Sequence, residues 1–145
     1  MALALVAACG GSGSKHASTS SEKPEAAAQR HITEVVQGQW GLAYNDLLAQ
    51  QQTAISQATF IKCFEQIRDS IPEISKIEVI KVYNEKTPTP GAGDLDSTAV
   101  TVRVTTKGGQ TETQTVHEYN VGGQWRGSVD QASFDAESKG QCPTG

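Results

Sequence analysis

Apolar positions recur along the chain first with the period of helices and then with the period of strands. Ala28, Ile32, Val35 and Val36 share one helical face and predict a first helix. It opens near Ser20 or Ser21 as caps, with Pro24 tolerated in the first turn, Glu25 suited to the positive end of the helix dipole, and Gly38 as its stop. In QWGLAYNDLLA, Trp40, Ala43, Tyr44, Leu47 and Leu48 follow the same spacing and predict one continuous second helix. Phe60, Cys63, Phe64, Ile67 and Ile71 predict a third, capped by Ser56 and stopped by Pro72. That spacing accounts for Trp40, Tyr44, Phe60 and Phe64 as core residues rather than a ligand cage. Gln50, Gln51 and Gln52 read as the solvated end of a helix.

After Pro72 the period changes. IEVIKVY, from Ile77 to Tyr83, is rich in β-branched and aromatic residues and predicts a strand; TPTPGAGDLD, from Thr87 to Asp96, reads as a loop because Pro and Gly crowd it. Val100, Val102 and Val104 alternate with Thr101, Arg103 and Thr105, the signature of a strand with one buried face. Two tight turns, at Gly108-Gly109 and Gly122-Gly123, separate it from strands over Thr111 to Val121 and Gln124 to Val129. Strands joined this closely are antiparallel. The expected fold class is therefore α+β, with three N-terminal helices packed on a curved antiparallel sheet of about four strands.

The front of the chain has a different composition. Residues 10–22, GGSGSKHASTSSE, lack large apolar side chains and cannot offset the entropy of ordering, so they read as a tether between a leading segment, residues 1–9, and a folded domain, residues 23–145. The net charge of −4, with Lys and Arg numbering only 12, argues against nucleic acid as a partner. Nothing approaches 18 consecutive apolar residues, so a membrane link has to be covalent or through a partner. No His, Cys or acidic residues fall at metal-ligand spacing, with His16 and His31 far from His117, and no cofactor is expected. Gly91-Ala92-Gly93-Asp94 lacks the Lys and helix of a phosphate loop, and no G-x-S-x-G elbow is present.

Leu5-Val6-Ala7-Ala8-Cys9 resembles the bacterial lipobox, in which an aliphatic residue and two small ones precede a cysteine that is lipidated and becomes the mature N-terminus. The resemblance implies a lipid on Cys9, an extracytoplasmic location at the cell membrane, and a start of translation upstream of Met1, since no basic residue precedes the short apolar run. In such a compartment Cys63 and Cys142 are expected to pair as a disulfide, closing a loop of about 80 residues worth on the order of 4 kcal/mol. The alternative is a buried Cys63 acting as a small hydrophobe and an unpaired Cys142.

VVQGQWGLAYNDLLA, SQATFIKCF and NVGGQWRGS together resemble small lipoproteins of the nuclear transport factor 2-like superfamily, also described as cystatin-like. Gly38, Trp40, Leu47, Leu48, Trp125 and Arg126 carry the resemblance, which covers roughly residues 24–130. It implies a cone of sheet and helices open at one end, a shape that serves both enzymes of the isomerase and dehydratase type and binding modules without chemistry. His117 and Tyr119 share a strand face with Thr115 and Val121, while Glu118 turns to the other. Tyr44, His117, Tyr119 and Trp125 are the candidate pocket residues. The expected function is a lipid-anchored binding or accessory module of the cell envelope, without catalysis, whose partner is a small apolar ligand or another envelope protein. The rival is a pocket enzyme with His117 or Asp130 as base and Tyr119 as donor.

Overall fold

The structure, a computed structural model, describes residues 22–144. Ser20 and Ser21 lie outside the described residues, as do the leading segment and Cys9. The fold is α+β. Four helices precede a four-stranded antiparallel sheet and a fifth follows it. Helix α1 spans Pro24–Val36, with Lys23 at its N-cap and Pro24 in the first turn, where a missing N–H costs nothing. Gly38 takes φ +74°, the left-handed backbone that ends the helix.

The expected second helix is divided. Helix α2 is Trp40–Asn45, α3 is Ala49–Ala54, and the apolar stripe runs through the break between them. The break is made by pairing with the far end of the chain: Leu48 N–H donates to Gly127 O at 3.0 Å, and Gly127 N–H to Asp46 O at 2.9 Å. Two long-range hydrogen bonds thus replace helical ones around Leu47 and Leu48. Helix α4, Gln57–Gln66, is capped as expected, Ser56 Oγ accepting from Thr59 N–H at 3.1 Å. A 3₁₀ turn, Arg68–Ser70, carries the chain to the sheet.

Strand order is sequential: β1 (Ile74–Thr89), β2 (Gly93–Thr106), β3 (Thr111–Val121) and β4 (Gln124–Arg126). The segment from Thr87 to Asp96, read as a loop, instead continues β1 to Thr89 and restarts β2 at Gly93. Pro88 fits because β1 is an edge strand, and Pro90 and Gly91 need only a tight turn, closed by Ala92 N–H on Thr89 O at 3.0 Å with Gly91 at φ +74°. Register shifts between Ile74 and Lys76 and between Val79 and Lys81 mark bulges that bend β1. The fourth strand ends at Arg126, earlier than expected, because Gly127 turns to the α2–α3 break.

Two apolar clusters fill the interior. Ala28 and Ile32 of α1 pack on Val100, Val102 and Val104 of β2, and Trp40, Ala43, Leu47, Ile55 and Phe60 pack among the short helices. Phe64 stacks against Trp40 at 5.9 Å and meets Phe60 edge-on at 5.0 Å. Helix α5, Gln131–Glu137, has no counterpart in the sequence reading, being short and mostly polar. Its Phe134 covers the β1–β2 turn, and Cys63 and Cys142 form a disulfide that ties the tail behind it to α4.

Of the Gln run, only Gln50 is exposed as expected of a solvated helix end. Gln51 is fully buried: its Nε2 donates to Pro90 O at 3.0 Å and its Oε1 accepts Val129 N–H at 2.9 Å, joining α3 to the hairpin tip and the α5 lead. Gln52 Nε2 reaches the carbonyls of Tyr44, Asn45 and Leu47 at 3.1, 3.0 and 2.9 Å, closing the end of α2.

Because a Cβ on Gly91 would lie 2.6 Å from the Phe134 ring in a left-handed backbone, Gly91→Ala is expected to destabilise the protein by about 2–3 kcal/mol. A lowered urea midpoint with an unchanged slope is the measurement that checks it.

Candidate functional site

Helix α1 places Arg30, His31 and Glu34 beside the α2 terminus and the sheet. His31 Nδ1 lies 2.9 Å from Glu118 Oε1 on β3, and its Nε2 lies 3.3 Å from Asp46 Oδ2, close enough for an ion pair though outside hydrogen-bond geometry. Arg30 bonds Glu22 at 3.1 and 3.2 Å, Glu34 at 3.4 Å, and Asp46. Arg126 Nη1, 3.9 Å from Asp46, donates to Asn45 O at 2.6 Å. Glu118 and Glu34 are almost completely buried.

Burial works against a charged His31 ring, but the carboxylates of Asp46 and Glu118 outweigh it and raise the pKa to about 9. Burial would likewise raise Asp46; His31 and Arg30 prevail and hold it below the ordinary carboxylate range. Glu118 moves the other way, because burial outweighs the help of His31, so part of what the imidazolium gains is offset by its partner. The group is therefore an imidazolium held between two carboxylates, joining α1, α2 and β3. Its one buried polar atom on Glu118 without a hydrogen-bond partner among the described residues is Oε2.

Beside this cluster opens a cleft of about 940 Å³. Ile32, Val35 and Val36 of α1, Phe64 of α4, and Ile67 and Ile71 wall one side, and β3 walls the other. Ile67 is half-exposed at 51%, leaving an apolar side chain at the rim. A smaller cavity of about 240 Å³ borders His31, Asp46, Ser133 and Glu137. Burial, then the nearby Asp130, push the Glu137 carboxyl up to about 7, and its Oε2 has no hydrogen-bond partner among the described residues.

The candidate pocket residues are dispersed. His117 and Tyr119 line the large cleft, but both are engaged: His117 Nε2 lies 2.6 Å from Glu85 Oε1 in a pair that reaches across Ala99, and Tyr119 OH lies 3.0 Å from Thr89 Oγ1. Tyr44 OH bonds the carbonyls of Gln52 and Ile55 at 3.0 and 2.7 Å inside the helical core. Trp125 does not line the cleft; its Nε1 donates to Glu22 O at 2.7 Å, just before the start of α1. Asp130 caps α5, accepting Ser133 N–H at 2.8 Å.

Sequence reasoning assigned His31 to the first helix without a role and turned Glu118 away from His117. That second inference holds, since Val116 and Glu118 face the helices. The available signal was Arg30-His31 on the sheet-facing side of a helix, together with an acidic residue at an inward strand position. Compared with models of known protein families the chain matches none, and a search of curated proteins finds no match.

The pH dependence follows from these shifts. The stability due to His31 is complete below pH 6.5 and is lost as pH rises through about 9; that due to Asp46 is present above pH 3.8 and is lost as pH falls through its lowered pKa. His31→Ala is expected to cost about 3 kcal/mol at pH 6, chiefly by leaving Glu118 buried without its cation, and much less at pH 10. Glu137 has the opposite effect at neutrality: its favourable protonated form is lost as pH rises through about 7, so Glu137→Gln should raise thermal stability at pH 8.5 and leave it nearly unchanged at pH 4. Melting curves across pH check both.

Proposed function

We propose that the protein is a lipid-anchored binding or accessory module of the cell envelope, held through Cys9 on the extracytoplasmic face of the membrane and working without catalysis. The cleft of about 940 Å³ with an apolar helical wall is the observation that carries this reading, because its size and lining suit an apolar ligand or a protein segment. A cone of the nuclear transport factor 2-like kind fits the element order, with helices first and a meander sheet after them. The Cys63–Cys142 bond suits an oxidising compartment. Among the described residues no helix is long and apolar enough to cross a membrane, which fits a covalent anchor.

The enzyme reading draws on one observation, that His117 and Tyr119 both line the cleft. Against it, each already has a protein partner at hydrogen-bond distance, and the best-buried histidine, His31, is an imidazolium occupied by two carboxylates and so a poor base near neutral pH.

Two measurements test the proposal. Intact mass of the chain extracted from bacterial membranes is expected to show a processed N-terminus with acyl chains on Cys9, and Cys9→Ser should release the chain to the soluble fraction; an unprocessed, unlipidated chain overturns the anchor. The uncharged fluorophore N-phenyl-1-naphthylamine is expected to bind the cleft, and Ile67→Asp to weaken that binding about tenfold by adding charge at its apolar rim.

A further inference from the structure

Strand β3 changes partner along its length and is paired on one side at a time. With β2 it pairs from Thr111 to Glu118, whereas β4 covers Tyr119 to Val121 before the chain departs at Gly127. Among the described residues, the lane beside Thr111 to Glu118 on the β4 side is left without a strand.

The register fixes which backbone groups face that lane. Thr106 N–H donates to Gln110 O at 2.8 Å, and pairs alternate from there between those bonded across the ladder and those facing outward. The even positions, Glu112 to Glu118, therefore bond to β2, and Thr113, Thr115 and His117 present N–H and C=O to the vacant lane. A bond between the Thr101 and Thr115 hydroxyls at 2.9 Å agrees, because side chains approach more closely across an outward-facing pair. Thr111 to Thr115 are exposed, so the lane opens to solvent at that end.

The lane runs along the cleft. One face of an added strand would meet the apolar side chains of Val36, Phe64 and Ile67, and the other would meet water. Glu112 and Asp130 border the cleft, and neither Lys nor Arg does; the imidazolium of His31, also in the lining, is already held by Glu118 and Asp46. A second copy of this chain is a poor occupant: antiparallel pairing of two β3 edges about Thr115 would set Glu112 of one against Glu118 of the other, and any other register still joins two rims that carry Glu112 and neither Lys nor Arg.

We propose that this lane accepts an extended segment of a partner protein as an added strand, with alternate apolar side chains turned to the helical wall and, on that same face at its solvent end, a basic side chain opposite Glu112. The inference rests on the reading of the cleft as a binding site and supplies its partner class.

The test uses the purified full chain and a fluorescent peptide of sequence TVTVTITKT, acetylated and amidated at its ends, whose Lys shares a face with Val and Ile and, in antiparallel register, stands opposite Glu112. The peptide is expected to bind, to protect the amides of Thr113, Thr115 and His117 from exchange, and to lose at least about tenfold in affinity when its alternate amides are N-methylated or its Lys becomes Glu. Thr113→Pro, which removes an outward N–H, should weaken binding similarly, and Glu112→Lys should reverse the preference between the Lys and Glu peptides. Equal binding of the N-methylated peptide overturns the proposal. So does amide protection that grows with protein concentration alone, which assigns the edge to a second copy. Binding of N-phenyl-1-naphthylamine without the peptide overturns the added strand but leaves the cleft as a binding site; binding of neither overturns both.

Discussion

A buried imidazolium governs how this fold closes. His31 enters from the first helix, Asp46 from the end of the second and Glu118 from the third strand, and each would be costly to bury without the others. Arg30 extends the group to Glu22 and Glu34, so one turn of α1 gathers acids from four places in the chain. Hydrophobic burial presses α1 on the sheet, but it is non-directional. The charges select one rotation and one height for the helix, because a shift of one residue would take the ring out of reach of both carboxylates.

That fixed helix also determines the cleft. Ile32, Val35 and Val36 follow His31 along α1, and their distance from β3 is set where His31 meets Glu118. The opposite boundary is set by Gln51, whose amide group holds the β1–β2 tip and the lead into α5 together. A buried amide with both ends satisfied resists displacement more than an apolar side chain of the same size, since removing either partner leaves an orphaned polar group. The cleft is thus framed by polar contacts and walled on its helical side by apolar ones.

Much of the architecture was legible in residue spacing. Helix α4 declared itself by its stripe and its Ser56 cap, and Thr111 to Val121 by the two glycine turns that bound it. What failed did so for tertiary reasons. The stripe through Trp40 to Leu48 is periodic, yet Gly127 captures the backbone at Asp46 and Leu48, a bond from 79 residues away in the case of Leu48 that no local window contains. Pro88 argued against a strand, but a proline on an edge leaves the ladder intact. Gln51 looked like surface because its type is usually exposed, and only the three-dimensional arrangement of two distant carbonyls and one N–H reveals why it is inside. The site was least legible of all, since His31 and Glu118 stand 87 residues apart.

The bond between Cys63 and Cys142 encloses the entire sheet, and its second sulfur lies three residues from the end of the chain. Cys142 follows every strand in chain order, so the link can close only after all of them have been made. Oxidation therefore cannot guide the strands into register; hairpins and helices must find one another first, and the covalent link then locks an arrangement reached without it. A late lock of this sort rewards correct assembly instead of directing it, and it makes the seating of the tail depend on the redox state of the surroundings.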